Sequence, residues 1–99
     1  MKTSELTGIA LDWAVAKAIE EYKPVAVPHY STNWAQGGPI IEREKITLVC
    51  APCYDTYWVA EKGRLDVDCM TGPTPLIAAM RCYVASKLGD DVEIPEELA

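Results

Sequence analysis

The chain is short of residue types on which many activities depend. Its 99 residues include no phenylalanine, one histidine and only nine Lys and Arg. Gripping a phosphate backbone takes clustered bases, and nine of them against fifteen Asp and Glu are too few for a large nucleic-acid footprint. A polybasic membrane anchor fails on the same ground. No apolar run approaches the roughly 20 residues needed to span a bilayer. The opening Met1-Lys2-Thr3-Ser4-Glu5-Leu6 lacks the charged-then-apolar layout of an export signal. Those absences predict a soluble, cytoplasmic protein. Walker, dinucleotide-binding, EF-hand and zincin motifs are also missing.

What is present is an ordinary globular composition, 49% apolar and 24% charged, at a length that suits one domain over residues 1–99. The formal charge of −6 is unevenly placed. Residues 1–87 hold nine bases and ten acids, whereas Asp90, Asp91, Glu93, Glu96 and Glu97 follow without a base. The excess is therefore an acidic tail over 90–99, a solubilising end or an electrostatic contact to a basic partner. A DNA mimic would need its acids spread over a folded face, so that reading is a minor one.

Helix and strand signals give the order α-β-β-β-α. A first helix is expected to open near Thr3 or Ser4 and to stop before Pro24. It carries two apolar stripes on opposite sides, Leu6, Ile9, Ala10, Trp13 and Ala16 on one, Leu11, Val15, Ala18, Ile19 and Tyr22 on the other. One stripe suffices to lie on a sheet, so the second is covered by the following loop or meets a partner. Residues 24–39 read as a long irregular connection punctuated by Pro24, Pro28, Gly37, Gly38 and Pro39. Strands are expected within Ile40–Cys50, over Thr56–Ala60, and over Leu65–Cys69, where apolar residues alternate with Asp66 and Asp68. Glu42-Arg43-Glu44-Lys45 interrupts the first of these as a turn or solvated edge. Lys62-Gly63 suits a tight hairpin, hence antiparallel pairing. The last helix starts at Thr74 with Pro75 in its first turn and ends at Gly89. One of its faces is broad and apolar, and Ala78, Ala79, Cys82, Ala85 and Ser86 make the opposite one small. The fold class is α+β, a sandwich-like arrangement of a three- to four-stranded antiparallel sheet with a helix at each end of the chain.

Chemistry-bearing residues are sparse. Cys50-Ala51-Pro52-Cys53 has Cys-x-x-Cys spacing, as in redox pairs and half zinc sites. It ends a strand instead of opening a helix, and Cys69, Cys82 and His29 do not complete a zinc set, so Cys50 and Cys53 are weak metal candidates and free thiols are expected. His29, Ser31 and Asp55 supply the residue types of a hydrolytic triad, but no nucleophile-elbow pattern surrounds any serine. Thr71-Gly72-Pro73-Thr74-Pro75 opens a helix as phosphate loops do, yet two prolines remove the amides such a loop needs. The densest run of polar and aromatic side chains is the 29–38 segment. His29, Tyr30, Asn33, Trp34 and Gln36 are its candidate binding residues. Trp34 stands out in this polar stretch: it either folds the loop onto the sheet or offers a contact to a partner.

Three stretches carry a family resemblance: Glu5-Leu6-Thr7-Gly8-Ile9-Ala10-Leu11-Asp12-Trp13-Ala14-Val15-Ala16-Lys17-Ala18, Tyr30-Ser31-Thr32-Asn33-Trp34-Ala35-Gln36-Gly37-Gly38-Pro39-Ile40-Ile41 and Gly72-Pro73-Thr74-Pro75-Leu76-Ile77-Ala78-Ala79-Met80-Arg81-Cys82-Tyr83-Val84-Ala85-Ser86-Lys87. Together they resemble a family of small proteins of unknown function from phages and prophages of Gram-negative bacteria. More distantly, the layout resembles the phage ABA-sandwich domain, in which a sheet lies between helices. The resemblance implies an origin and a fold, and supplies no catalytic residues. It implies residence in the cytoplasm of a bacterial host and an accessory protein of the kind that often blunts a host defence. The function expected on these grounds is a non-enzymatic protein-interaction module, without cofactor, whose partner is a second copy or a host protein. The alternative is a small-ligand or nucleotide binder that uses the 29–38 loop.

Overall fold

The computed structural model describes residues 1–20, 27–50, 58–62 and 70–96. A 3₁₀ turn at Thr3–Glu5 leads to α1 (Gly8–Glu20), α2 (Trp34–Glu44), β1 (Ile46–Cys50), β2 (Trp58–Lys62), β3 (Met70–Gly72) and α3 (Pro75–Leu88). The fold class is α+β, as expected, with a three-stranded antiparallel sheet and a helix toward each end of the chain. The expected strand over Leu65–Cys69, the Lys62-Gly63 hairpin, the helix stop before Pro24 and residues Tyr22, Cys53, Asp55, Thr56, Tyr57 and Glu97 fall wholly or partly outside the described residues.

The first helix begins later than its capping residues suggest. Thr3 is buried and used elsewhere: its N–H donates to the Asp90 carbonyl at 2.8 Å and its hydroxyl to the Gly89 carbonyl at 2.7 Å. Leu6 is extended and Gly8 has φ +55°, a left-handed conformation that separates the 3₁₀ turn from α1. The same contacts draw in the start of the acidic tail, where the Val92 N–H reaches the Met1 carbonyl at 2.9 Å and the Val92 side chain is buried.

Among the described residues, both stripes of α1 are largely covered within the chain, Ile19 being half-buried. Leu11, Val15 and Ala18 of the second are as buried as Leu6, Ala10, Trp13 and Ala16 of the first, and Ile9 is the exception at 63% exposed.

Residues 34–44, expected as the end of a loop and a first strand patch at Ile40-Ile41, form α2. Asn33 caps it, its Oδ1 accepting from the Ala35 N–H at 2.9 Å. Gly37, Gly38 and Pro39 are poor helix formers, and packing overrides them. Gly37 lies so close to its neighbours that an added Cβ would stand 2.5 Å from the Tyr30 carbonyl oxygen and 2.6 Å from Leu76 Cδ1. One turn on, Ile40 is buried in the core. Glu42-Arg43-Glu44 is therefore the last turn of a helix, and Lys45 ends it in the left-handed region at φ 56° and ψ 47°. The chain enters β1 directly from that residue.

The register sets Leu48 opposite Ala60 and Ala60 opposite Met70. Alternation then places Ile46, Leu48, Trp58, Ala60, Met70 and Gly72 on one sheet face, and the fully buried Ala60 marks it as the inner one. α3 covers that face and also meets α1, α2 and the 3₁₀ turn. Among the described residues α1 packs on α3 rather than on the sheet. The caps of α3 match their sequence signals. Thr74 Oγ1 accepts the Ile77 N–H at 3.1 Å, Pro75 occupies the first turn, and the Gly89 N–H reaches the Ala85 carbonyl. With neighbours on most sides, α3 is buried from Ala78 to Ala85, which accounts for its small residues. Arg81 is the polar member of that run. Its Nε donates to the Leu6 carbonyl at 2.8 Å and its Nη1 to the Thr71 carbonyl at 2.7 Å, joining the lead-in to α1 with β3.

Candidate functional site

The site candidate grows from a buried carboxylate. Asp12, in the apolar body of α1, is almost fully enclosed. A buried carboxylate needs partners, and Asp12 finds them on the 29–33 turn. The Ser31 N–H donates to its Oδ1 at 2.7 Å, and His29 Nδ1 stands 3.8 Å from Oδ2. Within the turn, the Thr32 and Asn33 N–H groups both donate to the His29 carbonyl. The turn is thus fastened to α1 at one end and runs into the cap of α2 at the other.

This fastening fixes Trp34, the first residue of α2. Trp34 is 53% exposed, a large value for a tryptophan. It stands at a cleft of about 230 Å³ between the 31–34 turn and the first turn of α3. Ser31, Thr32 and Trp34 line one side, and Thr74, Pro75, Leu76 and Ile77 the other. Among the described residues the walls are neutral: hydroxyls and apolar groups, with no lysine or arginine. Thr74 Oγ1 already accepts the Ile77 N–H and Pro75 has none, so the opening of α3 offers few donors to an anion. Ser31 is only 2% exposed, and its Oγ is buried without a hydrogen-bond partner among the described residues.

The five residues expected to bind have different situations. Trp34 lines the cleft. His29 is exposed and faces Asp12, Tyr30 is half-buried against the core, Asn33 spends its Oδ1 on the helix cap, and Gln36 is exposed on α2. The acid that meets His29 and Ser31 is Asp12, which the sequence reading did not single out. Ser31 enters through its backbone N–H, so the cluster anchors a turn and does not line up a hydroxyl nucleophile with a base. One signal pointed to Asp12: it is the single charged residue between Glu5 and Lys17, set among Leu, Trp and Ala. The α3 side of the cleft had no such signal, because Pro75, Leu76 and Ile77 read as ordinary helix-start and core residues.

A second polar cluster holds the far end of α2. Lys62 Nζ donates to Glu44 Oε1 at 2.9 Å and Arg43 Nε to Oε2 at 3.1 Å. The Lys62 contact, with Arg43 adding to it, holds the Glu44 carboxyl below the usual carboxylate range. Of the thiols, Cys50 is exposed at the end of β1 and Cys82 is buried in α3. Among the described residues no group of three His, Cys, Asp or Glu converges to hold a metal, and no helix is long and apolar enough to cross a membrane.

Comparison with known proteins adds an origin to this geometry. No curated protein matches the chain. A family model described as bacteriophage P22 NinX matches residues 20–87, a span that includes the turn, the cleft and all of the sheet and that takes in the second and third of the three resembling stretches. The match covers well over half of the sequence, and the chain belongs to the phage P22 NinX family.

Proposed function

We propose that this phage-encoded accessory protein is a non-enzymatic interaction module that binds a host protein through Trp34 and the cleft beside it. The observation that carries the reading is the exposed Trp34 ring, held in place by the Asp12–Ser31 hydrogen bond and the Asn33 cap. Tryptophan is among the residue types that dominate binding energy, and it does so best when it is already positioned. A neutral cleft of 230 Å³ fits an apolar side chain of the partner. A host defence complex is the class of partner that a phage origin suggests.

The test is affinity purification from infected cells with the wild-type chain and with Trp34→Ala, followed by reconstitution with the purified partner. Trp34→Ala is expected to lose the partner while unfolding at the same temperature. Equal recovery of the same partner by both chains overturns the proposal. The second reading, a small-ligand or nucleotide site on the 29–38 segment, draws support from the buried, unpartnered Ser31 Oγ. That no lysine or arginine lines the cleft among the described residues weighs against a phosphate-bearing ligand. A thermal-shift panel of nucleotides separates the two, because a ligand that binds the folded state raises the melting temperature.

A further inference from the structure

Because the described residues of both stripes of α1 are largely covered, a second copy has little to meet among them beyond Ile9. The open hydrogen-bonding surface is at the sheet. The strand order is β1-β2-β3, so β1 is an edge, and among the described residues nothing pairs with its outer side. Exposed edges invite another strand, and proteins commonly blunt them with lysine, proline or a bulge. Ile46-Thr47-Leu48-Val49-Cys50 has none of these. It carries no charge, it pairs with β2 at every residue without a bulge, and Thr47, Val49 and Cys50 are exposed, Val49 at 46%. Its neighbour β2, at the centre of the sheet, does carry charge, at Glu61 and Lys62.

We propose that β1 pairs antiparallel with β1 of a second copy about a two-fold axis at Leu48, joining two three-stranded sheets into one of six strands. The strand suits itself as a partner. A two-fold at Leu48 sets Ile46 against Cys50, Thr47 against Val49 and Leu48 against its own equivalent, pairs that are neutral and rich in strand formers. Charge selects the same place, since two copies of formal charge −6 repel and approach most easily where each surface is uncharged. Main-chain hydrogen bonds supply the affinity, as in other strand additions. Five residues bury far less than the roughly 1,600 Å² of a standard stable interface, so the dimer is weak and forms with rising concentration.

Analytical ultracentrifugation from about 5 to 200 µM tests this, because the oligomeric fraction must follow protomer concentration. The wild type is expected to pass from monomer toward dimer across that range. Thr47→Lys with Val49→Lys is expected to weaken association at least about tenfold, by placing like charges across the edge. Both side chains are exposed, so the dilute variant is expected to stay folded, with a thermal midpoint lowered only by lysine's weaker strand preference. Hydrogen exchange on the wild-type chain gives a reading that needs no variant: amides within 46–50 gain protection on concentration while those of α1 do not. A wild type that stays monomeric throughout overturns the proposal, as does a dimer indifferent to the lysines or an exchange pattern that does not change at β1.

Discussion

Replacing Asp12 separates the turn that presents Trp34 from the rest of the fold. In Asp12→Ala the Ser31 N–H loses the acceptor it holds at 2.7 Å, and that amide is buried. A hydrogen bond to a charged group contributes about 1.5–3 kcal/mol, and an orphaned buried donor costs about 1–3 kcal/mol. Removing the carboxylate also removes its own desolvation cost, which offsets part of the loss. The net expectation is a destabilisation of about 2 kcal/mol, a fall in melting temperature of roughly 8–16 °C for a domain of this size. Asp12→Asn keeps an oxygen acceptor in place and loses only the charge, so its cost should be about half as large. Differential scanning calorimetry gives the midpoints, and hydrogen exchange over residues 29–36 tells a local loosening from a global one. The order Ala worse than Asn, with exchange rising first in the turn, is what the geometry requires. An Asp12→Ala chain that melts within a degree or so of wild type would show that the bond does not hold the turn.

Three further outcomes follow from single contacts. Arg81→Met strands the buried Leu6 carbonyl and loses the part-buried bond to the Thr71 carbonyl, and should cost about 2 kcal/mol by urea denaturation with an unchanged m value. Glu44→Gln tests a pH dependence: the Glu44 carboxyl is held below its usual range by Lys62, so its contribution is present at neutral pH and lost as the pH falls through its folded value. Wild type should therefore exceed the variant by up to about 1 kcal/mol at pH 7, and the two should converge in acid, as read from melting curves across pH. Gly37→Ala drives a methyl to 2.5 Å from the Tyr30 carbonyl oxygen, a backbone atom with little room to yield, and should lower stability by about 1–3 kcal/mol in the same calorimetric assay.

The elements that could be read from the sequence are those whose signals are local. Thr74, Pro75 and Gly89 mark the ends of α3 within a few residues of where each acts, and the β-branched run of β1 speaks for itself. α2 was hidden because its interior, Gly37-Gly38-Pro39, opposes a helix, and the forces that impose one come from Tyr30 and Leu76. Asn33 was in place as a cap, but a cap before glycines and a proline has no persuasive helix to begin. The site shows the same division. Trp34 was conspicuous as a large apolar residue in polar company. The Asp12–Ser31 bond spans 19 residues, and the α3 wall of the cleft lies some 40 positions from Trp34 in sequence. Contacts of that range leave no periodicity to read.

The position of α3 has a consequence for how the chain is made. Among the described helices it comes last in chain order, yet the sheet, α1 and α2 all rest on it. The Arg81 bond to Leu6 spans 75 residues and the Thr3 bond to Gly89 spans 86. Until α3 emerges, the inner face of the sheet and the apolar stripes of α1 have no surface to cover them. Folding is therefore expected as one cooperative step that waits for α3, and a chain stopped before residue 75 remains an open substrate for proteases. Activity would then begin only in chains that already contain α3.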